Sequence, residues 1–256
     1  MKLRVLGCYG GQLPGKRLTS FLINDETLID TGGVTGALTL AEQNRVSRIV
    51  ISHSHLDHIK DIPMLADNVI GMKPDPVEVI SAAPVVATIR DHVLNNAVWP
   101  DFTVIPTADA PVLTYVEAPV EKTFNVGDLE FELVEVNHPV PTFAMFITEG
   151  DRTLLFTADT GPTEKVWQKA QDYKSTLKAV IIETSFPNKL EELSLISGHL
   201  SPCHLPVELA KLDCGEDVPI YLYHFKPAFE EELEAEVKAL ADSRIRPLVQ
   251  DETIEI

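Results

Sequence analysis

The motif His-Ser-His-Leu-Asp-His at residues 53–58 constrains this chain more than any other feature of its sequence. It places four metal-binding side chains within six positions, directly after the apolar, strand-like segment Arg48–Ser52. In an extended or turning backbone, His53 and His55 point to the same side and can hold one metal, while the aspartate and the last histidine can turn toward a second. Surface histidines beside a helix N-cap are the alternative, but three histidines around an aspartate favour a metal site.

Three further residues are candidate metal ligands, and each follows an apolar strand-like segment. His138, Asp159 and His224 all stand where a predicted strand gives way to a loop, which is where side chains of a strand become accessible. Taken singly, they could be a turn residue, a helix N-cap and a core histidine. Taken with the motif, they complete a set of imidazole and carboxylate ligands. We expect two divalent metal ions, with Zn²⁺ the first candidate and Mn²⁺ or Fe²⁺ also compatible with these ligands.

Charge and cysteine content limit the partners and the compartment. The chain carries 21 Lys and Arg against 39 Asp and Glu, a formal net charge of −18. A protein that binds long nucleic acid needs clustered cations, so we expect a small anionic substrate instead. Cys8, Cys203 and Cys214 are too few for a disulfide scaffold, and no pair has zinc-finger spacing. With no long apolar run, we expect a cytoplasmic, soluble protein with no membrane segment.

The order of predicted elements indicates one domain over residues 1–256. Short strands alternate with helices twice along the chain, which predicts an α+β fold with two mixed sheets and helices outside. The pattern also predicts a helical stretch from Gly32 to Asn44 and an edge strand over Leu248–Ile256. The apolar stripe of an acidic helix near Phe229–Leu240 packs either internally or across a homodimer.

These ligands in this order resemble the metallo-β-lactamase superfamily, whose members place two metals at one edge of a four-layer αββα sandwich. The resemblance implies one metal bound by three histidines, a second bound by Asp57 and two more histidines, and an aspartate that bridges them. The implied ligand sets are His53, His55 and His138; Asp57, His58 and His224; and the bridging Asp159. Two divalent cations would attract a phosphate monoanion even in an acidic protein.

Two further stretches, Glu183–Pro187 and Gly198–Pro202, resemble those branches of the superfamily that cleave phosphodiesters with loss of a 3′-oxygen. There a Glu and a His form a dyad. The resemblance implies that Glu183 orients His199 and favours its protonated form, which can donate a proton to the departing alkoxide. The alternative is that Glu183 caps a loop and His199 is an exposed turn residue.

The stretches Leu6–Gly11, Thr19–Ile23 and His92–Phe102 look like class II 3′,5′-cyclic-nucleotide phosphodiesterases. The tryptophan of the third stretch either fills the core or offers a face on which a nucleobase stacks. One departure from the family is Asp61, where a small residue is usual, so we expect the pocket entrance to differ. The predicted substrate contacts are His92, Asn95, Trp99 and Thr142.

The resemblance implies hydrolysis of cAMP or cGMP to the 5′-nucleotide by a metal-activated hydroxide. The catalytic residues would be Asp57, as metal ligand and hydrogen-bond acceptor for the hydroxide, Glu183, and His199 as general acid. A tRNA 3′-processing endonuclease shares this logic, but the net charge of −18 disfavours it. A hydrolase of thioesters or lactones and a non-catalytic member of the superfamily are further alternatives; the complete ligand set disfavours the last.

Overall fold

The structure is a computed structural model that describes residues 1–213 and 217–256. Cys214 lies outside these residues, whereas Cys8 is a buried and Cys203 an exposed free thiol. The strands of the described residues are, in chain order, β1 Lys2–Gly7, β2 Ser20–Ile23, β3 Thr27–Ile29, β4 Arg48–Val50, β5 Val77–Ser81, β6 Pro106–Thr107, β7 Ala110–Pro111, β8 Leu113–Glu117, β9 Thr123–Val126, β10 Leu129–Glu135, β11 Phe143–Glu149, β12 Arg152–Phe156, β13 Leu177–Glu183, β14 Ile220–Tyr223, β15 Ile245–Pro247 and β16 Thr253–Glu255.

Two sheets of seven strands each mix parallel and antiparallel neighbours. The first sheet has the order β16-β1-β2-β3-β4-β5-β8, in which β3, β4, β5 and β8 run parallel. The second sheet has the order β15-β14-β13-β12-β11-β10-β9, in which β12, β13, β14 and β15 run parallel. The short strands β6 and β7 pair with each other.

The two sheets pack face to face because their strands carry apolar side chains on both faces. In β13, Ile181 belongs to the core that contains residues of both sheets, whereas its neighbours Val180 and Ile182 belong to a second core. This is the alternation that a strand imposes on successive side chains. Phe21 of the first sheet meets Phe156 of the second with ring centroids 5.5 Å apart, so the larger core joins the sheets.

Helices cover the sheets. The helices of the described residues are α1 Leu40–Gln43, α2 Leu56–Ile59, α3 Ile62–Val69, α4 Ala83–His92, α5 Lys165–Ala170, α6 Glu191–Ile196, α7 Leu205–Leu209 and α8 Glu230–Ala239, with 3₁₀ turns at Gln171–Tyr173, Asn188–Leu190, Pro202–His204 and Pro227–Phe229. Trp167 of α5 and Leu233 of α8 are buried in the second core, and α4 packs against β5 and β8. The predicted α+β class and αββα sandwich are confirmed. None of these helices is long and apolar enough to cross a membrane.

Two local predictions need correction. The predicted helix from Gly32 to Asn44 is helical only over Leu40–Gln43. A Cβ on Gly32 would lie 1.9 Å from the carbonyl oxygen of Asp57, so this segment is packed as a turn against the metal motif. The predicted edge strand is shorter than expected, Thr253–Glu255, and pairs with β1.

Candidate metal centre

The ends of neighbouring parallel strands bring the candidate ligands to one edge of the molecule. Because β12, β13 and β14 are parallel neighbours, the residues that follow them leave the sheet side by side. In the first sheet, β4 leads directly into the motif at residues 53–58. The seven predicted ligands follow β4, β10, β12 and β14, and they are His53, His55, Asp57, His58, His138, Asp159 and His224.

The first candidate group consists of His53, His55 and His138, whose donor atoms lie within 4.8 Å of one another. His55 Nδ1 is 3.1 Å from His138 Nε2, and the ring centroids of His53 and His138 are 5.0 Å apart. Three imidazole rings that converge in this way form a coordination set for a borderline cation. The structure therefore brings together the three histidines that the family resemblance assigned to one metal.

The second candidate group is built around one aspartate carboxylate. The donor atoms of four residues lie within 4.8 Å of one another, those of Asp57, His58, Asp159 and His224. Asp159 Oδ2 lies 3.2 Å from His58 Nε2 and 3.1 Å from His224 Nε2. The same oxygen is 3.9 Å from His53 Nε2 of the first group, while Oδ1 accepts a hydrogen bond of 3.0 Å from Tyr223. Asp159 thus faces both groups, as the implied bridging role requires.

Asp57 lies at the open side of the second group. Its side chain is 26% exposed, and its Oδ2 is 3.2 Å from His224 Nε2. Burial raises the pKa of Asp57, but its contact with His224 and the charge of His58 outweigh burial and hold that pKa below its ordinary value. Leu56, the preceding residue, is 68% exposed. An ionised carboxylate beside solvent can bind a cation and also accept a hydrogen bond from water.

Asp30 and Ser52 hold two of the histidines from behind, and we refer to them as the Asp30–Ser52 pair. Asp30 Oδ2 lies 2.7 Å from His58 Nδ1 and accepts a hydrogen bond of 2.7 Å from the Ser52 hydroxyl. The Ser52 oxygen, 3.0 Å from His53 Nδ1, is therefore the acceptor in that contact. Both rings carry hydrogen on Nδ1, so each ring in its neutral form keeps a lone pair on Nε2 for a metal.

In the second sheet, Glu183 and Ser185 contact two histidines in a similar way, and we refer to them as the Glu183–Ser185 pair. The Ser185 hydroxyl donates to Glu183 Oε2 at 2.7 Å, and its oxygen lies 2.8 Å from His224 Nδ1. Hydrogen on His224 Nδ1 leaves Nε2 free for the metal. Glu183 Oε1 lies 3.1 Å from His199 Nδ1, so the structure brings together the predicted dyad. His199 is 7% exposed and is not an exposed turn residue.

His138 is also held through its Nδ1, in this case by a backbone carbonyl group. Its Nδ1 lies 2.9 Å from the carbonyl oxygen of Gly198, which can only accept a hydrogen bond. Nε2 of His138 is therefore the metal-binding nitrogen. Gly198 has φ of +68°, and a Cβ there would lie 3.2 Å from the ring of His138, so this close approach favours glycine.

Two buried histidine nitrogens indicate whether the site fits metal ions. Within the described residues, His53 Nε2 and His58 Nε2 are buried and make no well-aligned hydrogen bond, although Asp159 Oδ2 lies 3.2 Å from His58 Nε2. A buried polar atom without a partner costs about 1–3 kcal/mol, and a cation bound at each nitrogen would remove that cost. Imidazole nitrogens and carboxylate oxygens are ligands that Zn²⁺, Mn²⁺ and Fe²⁺ accept. The residues present fit divalent metal ions.

The charged groups of the site shift one another's pKa values. Burial raises the pKa of Asp159, but the neighbouring rings of His224 and His58 outweigh it, so the pKa lies well below its ordinary value. Burial lowers the pKa of His58, but Asp159 and Asp30 hold it well above its ordinary range. Burial and the charge of His58 place the pKa of His53 well below its usual value. The carboxylate of Asp159 is therefore ionised, the form that binds a cation.

Glu183 controls the charge of His199. Burial lowers the pKa of His199, but the charge and hydrogen bond of Glu183 outweigh burial and raise it above its ordinary value. Glu183 Oε1 also accepts a hydrogen bond of 2.9 Å from the backbone of Leu200. Donor atoms of His199, His138 and Asp159 lie within 4.8 Å of one another. A ring that favours its protonated form therefore borders both metal groups.

The structure does not bring three of the four predicted substrate contacts to this edge. Helix α4 begins next to the metal edge, just after β5, and its ten residues carry the chain about 15 Å away. The residues beyond it lie at the opposite edge, where Phe102 O accepts hydrogen bonds from the backbone of Leu113 at the start of β8. The side-chain oxygen of Asn95 accepts hydrogen bonds within its own loop, Trp99 packs against the larger core, and His92 is exposed.

The remaining two sequence predictions concern residues behind the site. Thr142 is buried, and its hydroxyl donates to Val140 O at 2.9 Å, so it points into its own turn. Asp61 is also buried, and its Oδ2 accepts hydrogen bonds of 2.7 and 2.8 Å from Thr35. Asp61 thus anchors the turn that precedes α1, which is a structural reason for an aspartate at this position.

Asp30, Ser52 and Ser185 are site residues that the sequence interpretation missed. Each lies just beyond the end of a strand, at the edge that carries the ligands. Asp30 also has φ of +53°, an uncommon conformation that aspartate tolerates better than most residues. Their positions after buried strands were visible in the sequence, but single Asp and Ser residues at strand ends are too common to single out.

Another cluster of possible ligands consists of Glu191, Cys203 and His204. Unlike the histidines of the main site, His204 has no ring nitrogen free for a metal. The backbone N–H of Ser201 donates to His204 Nδ1 at 2.9 Å. The neutral ring then carries its hydrogen on Nε2, which lies 3.3 Å from Glu191 Oε1. No lone pair of His204 remains for a metal.

Two curated relatives are similar in sequence. "Probable metallo-hydrolase YhfI" of Bacillus subtilis (strain 168) is 23% identical over 241 residues, which cover 88% of each chain. The "3′,5′-cyclic-nucleotide phosphodiesterase" of Schizosaccharomyces pombe is 24% identical over 202 residues, which cover 73% of this chain and 57% of that protein. This chain therefore spans little more than half the length of the Schizosaccharomyces pombe enzyme.

Solved structures share the fold. Unliganded yeast PDE1 has a TM-score of 0.81 at 16% identity, with 98% of each chain covered. Human tRNase Z, short form, has a TM-score of 0.72 at 16% identity, covering 100% of this chain and 99% of that one. The model of the family described as "Beta-lactamase superfamily domain" matches residues 28–220. With its two-sheet sandwich and its His/Asp clusters, the chain belongs to the metallo-β-lactamase superfamily.

Proposed function

We propose that this metallo-hydrolase is a phosphodiesterase that opens 3′,5′-cyclic nucleotides to 5′-nucleotides. The observation that carries the proposal is the Glu183–His199 contact of 3.1 Å beside the complete set of metal ligands. The names of the Schizosaccharomyces pombe relative and of a Dictyostelium discoideum relative, "cAMP/cGMP-dependent 3′,5′-cAMP/cGMP phosphodiesterase A", support it.

The seven ligand side chains would hold two divalent metal ions, with Asp159 between the two groups. When bound, such ions lower the pKa of water and offset negative charge on a phosphoryl group. Asp57, at the open side, would accept a hydrogen bond from the attacking water and so orient it toward phosphorus.

His199 acts on the leaving group. As the oxygen of the attacking water bonds to phosphorus, the water releases one proton to solvent and the other stays on the phosphate. The bond from phosphorus to the 3′-oxygen breaks, and this oxygen takes a proton from the imidazolium of His199. Glu183 holds Nδ1 of the ring, so Nε2 is the nitrogen that donates. The product keeps its phosphate on the 5′-oxygen and gains a free 3′-hydroxyl. General acid catalysis of this kind contributes roughly 10²–10⁴-fold in rate.

The charge of the chain favours a small substrate over RNA. A net charge of −18 disfavours a long polyanion, which needs several cationic contacts along its backbone. A cyclic mononucleotide carries one negative charge and needs only the local positive charge of the metal site. The net charge therefore favours a cyclic mononucleotide over a tRNA as the substrate.

The proposal is tested by incubating the protein, loaded in parallel with Zn²⁺ or Mn²⁺, with cAMP, cGMP, a cyclic dinucleotide and a precursor tRNA. We expect chromatography to show 5′-AMP or 5′-GMP, with uncleaved tRNA. The Asp159→Ala variant should lose metal in elemental analysis and lose turnover. Formation of 3′-nucleotides, cleavage of tRNA alone, or no turnover of any cyclic nucleotide would contradict the proposal.

A further inference from the structure

Lys226 lies two residues beyond the metal ligand at the end of β14. The chain turns at His224, which has φ of +72°, and the backbone N–H of Lys226 then donates to Ser185 O at 3.1 Å. The ammonium group of Lys226 donates to Gly10 O at 2.5 Å and lies 5.8 Å from the ring centroid of Phe186. The side chain is half-buried, so its charge is held in a defined place.

Both groups that hold the ammonium also contact the site. A Cβ on Gly10 would lie 2.5 Å from His224 Nδ1, so the backbone at Gly10 touches the ring of a metal ligand. The ring centroid of Phe186 lies 5.9 Å from that of His199. Lys226 is therefore part of the wall that runs from the second metal group to the leaving-group histidine.

The charge of Lys226 is not neutralised by a carboxylate. Neighbouring cations are paired: Lys16 lies 2.5 Å from Glu230, and Lys60 lies 3.7 Å from Asp61. Within the described residues Lys226 forms no ion pair, and the backbone oxygen of Gly10 is its hydrogen-bond acceptor. In a chain of net charge −18, carboxylates are plentiful, yet this ammonium has none as a partner. Its charge is therefore available to an anion in the active site.

We propose that Lys226 is an anion-binding residue of the active site, whose ammonium group donates to a phosphoryl oxygen of the substrate; this rests on the proposed phosphodiester chemistry. An ammonium has three N–H donors, and Gly10 O takes one. The remaining two are available to a phosphoryl oxygen, with which lysine forms a strong, charge-assisted hydrogen bond. The Leu6–Gly11 segment thereby gains a role, because its Gly10 carbonyl fixes the ammonium.

The test measures binding of inorganic phosphate to the metal-loaded protein by calorimetry, together with kcat and KM for cAMP and for bis(4-nitrophenyl) phosphate. In Lys226→Met we expect phosphate binding to weaken about tenfold and KM for both diesters to rise about tenfold, with a smaller change in kcat. Lys226→Arg keeps the charge and should restore most of the affinity. Metal content and the melting temperature should stay at the values of the unaltered protein, which separates anion binding from loss of the Gly10 contact.

Lys189→Met is the matched control. Lys189 also faces a phenylalanine ring, that of Phe229 at 5.5 Å, but it pairs with Glu232 at 2.6 Å and lies outside the site. We expect its phosphate affinity and KM to match the unaltered protein. Equal phosphate binding by Lys226→Met and the unaltered protein, or no phosphate binding by the unaltered protein, would overturn the inference. If bis(4-nitrophenyl) phosphate is cleaved but no cyclic nucleotide is, the proposed function fails while the role of Lys226 is still decided by the other diester and by phosphate.

Discussion

The two sheets support the metal centre through two carboxylate–serine pairs that share a geometry but differ in what they hold. In the first sheet, the Asp30–Ser52 pair is joined by a hydrogen bond of 2.7 Å and holds two metal ligands, His53 and His58. In the second sheet, the Glu183–Ser185 pair is also joined at 2.7 Å. It holds one metal ligand and the histidine of the proposed general acid.

The difference assigns separate tasks to the two sheets. The first pair fixes the tautomer of two ligands and so serves metal binding alone. The second pair fixes His224 for metal binding and keeps His199 charged for proton donation. Damage to the first pair should therefore remove metal, while damage to the Glu183–His199 arm of the second should slow turnover with the metal retained.

Among the substitutions that test the separate roles of the two pairs, Asp30→Ala should have the largest effect. It leaves the Ser52 backbone N–H, the Ser52 hydroxyl and His58 Nδ1 without their buried acceptor. We expect a loss of roughly 3 kcal/mol or more in the free energy of unfolding and a fall of about 10–100-fold in metal affinity. Denaturant unfolding and metal titration measure both; unchanged metal affinity would refute the role of the pair.

His199→Ala comes next and should separate rate from metal content. We expect kcat for a cyclic nucleotide to fall by about 10²–10⁴-fold, with the metal content of the unaltered protein in elemental analysis. His204→Ala is a suitable control, since His204 is tied to Glu191 and Ser201 away from the ligand groups. Loss of metal in His199→Ala would instead make this ring a ligand.

Glu183→Gln should have a smaller effect, because the amide keeps an acceptor for the backbone of Leu200 but loses the negative charge beside His199. Without that charge, burial lowers the pKa of His199, so less of the imidazolium is present near neutral pH. We expect a fall of roughly 10–100-fold in kcat. A rate equal to that of the unaltered protein would show that the charge of Glu183 is unimportant.

The serines should give the smallest effects and the cleanest comparison. Ser52→Ala and Ser185→Ala each remove one hydroxyl that joins a carboxylate to a histidine. We expect each to cost about 1 kcal/mol in stability and each to weaken metal binding severalfold. Parallel metal titrations would measure this, and an effect of Ser185→Ala on kcat without any change in metal affinity would contradict the assignment of His224.

The sequence could indicate the candidate ligands because their information is local. Three histidines and an aspartate within residues 53–58 are rare, and a strand end is enough to orient them. The two-sheet architecture followed from the order of the elements, because short strands alternate with helices twice along the chain. Asp30 could not be singled out, because its role depends on β3 and β4 lying side by side.

Where the predictions and the structure differ, the physical cause is that tertiary packing decides where a loop goes. Asn95 and Trp99 follow α4 to the far edge of the first sheet, and residue spacing alone does not show which way that helix runs. The helix predicted from Gly32 is shortened because Gly32 packs on the backbone of Asp57. Local propensity is overridden at both places by contacts distant in sequence.

The assignment of leaving-group chemistry to His199 is tested most directly by comparing two diesters in His199→Ala. A cyclic nucleotide expels a poor leaving group, its 3′-alkoxide, whereas bis(4-nitrophenyl) phosphate expels a nitrophenolate that needs no proton. We expect the substitution to reduce kcat by about 10²-fold or more for the cyclic nucleotide and to leave the rate for the nitrophenyl diester nearly unchanged. Equal losses for the two substrates would contradict proton donation by His199.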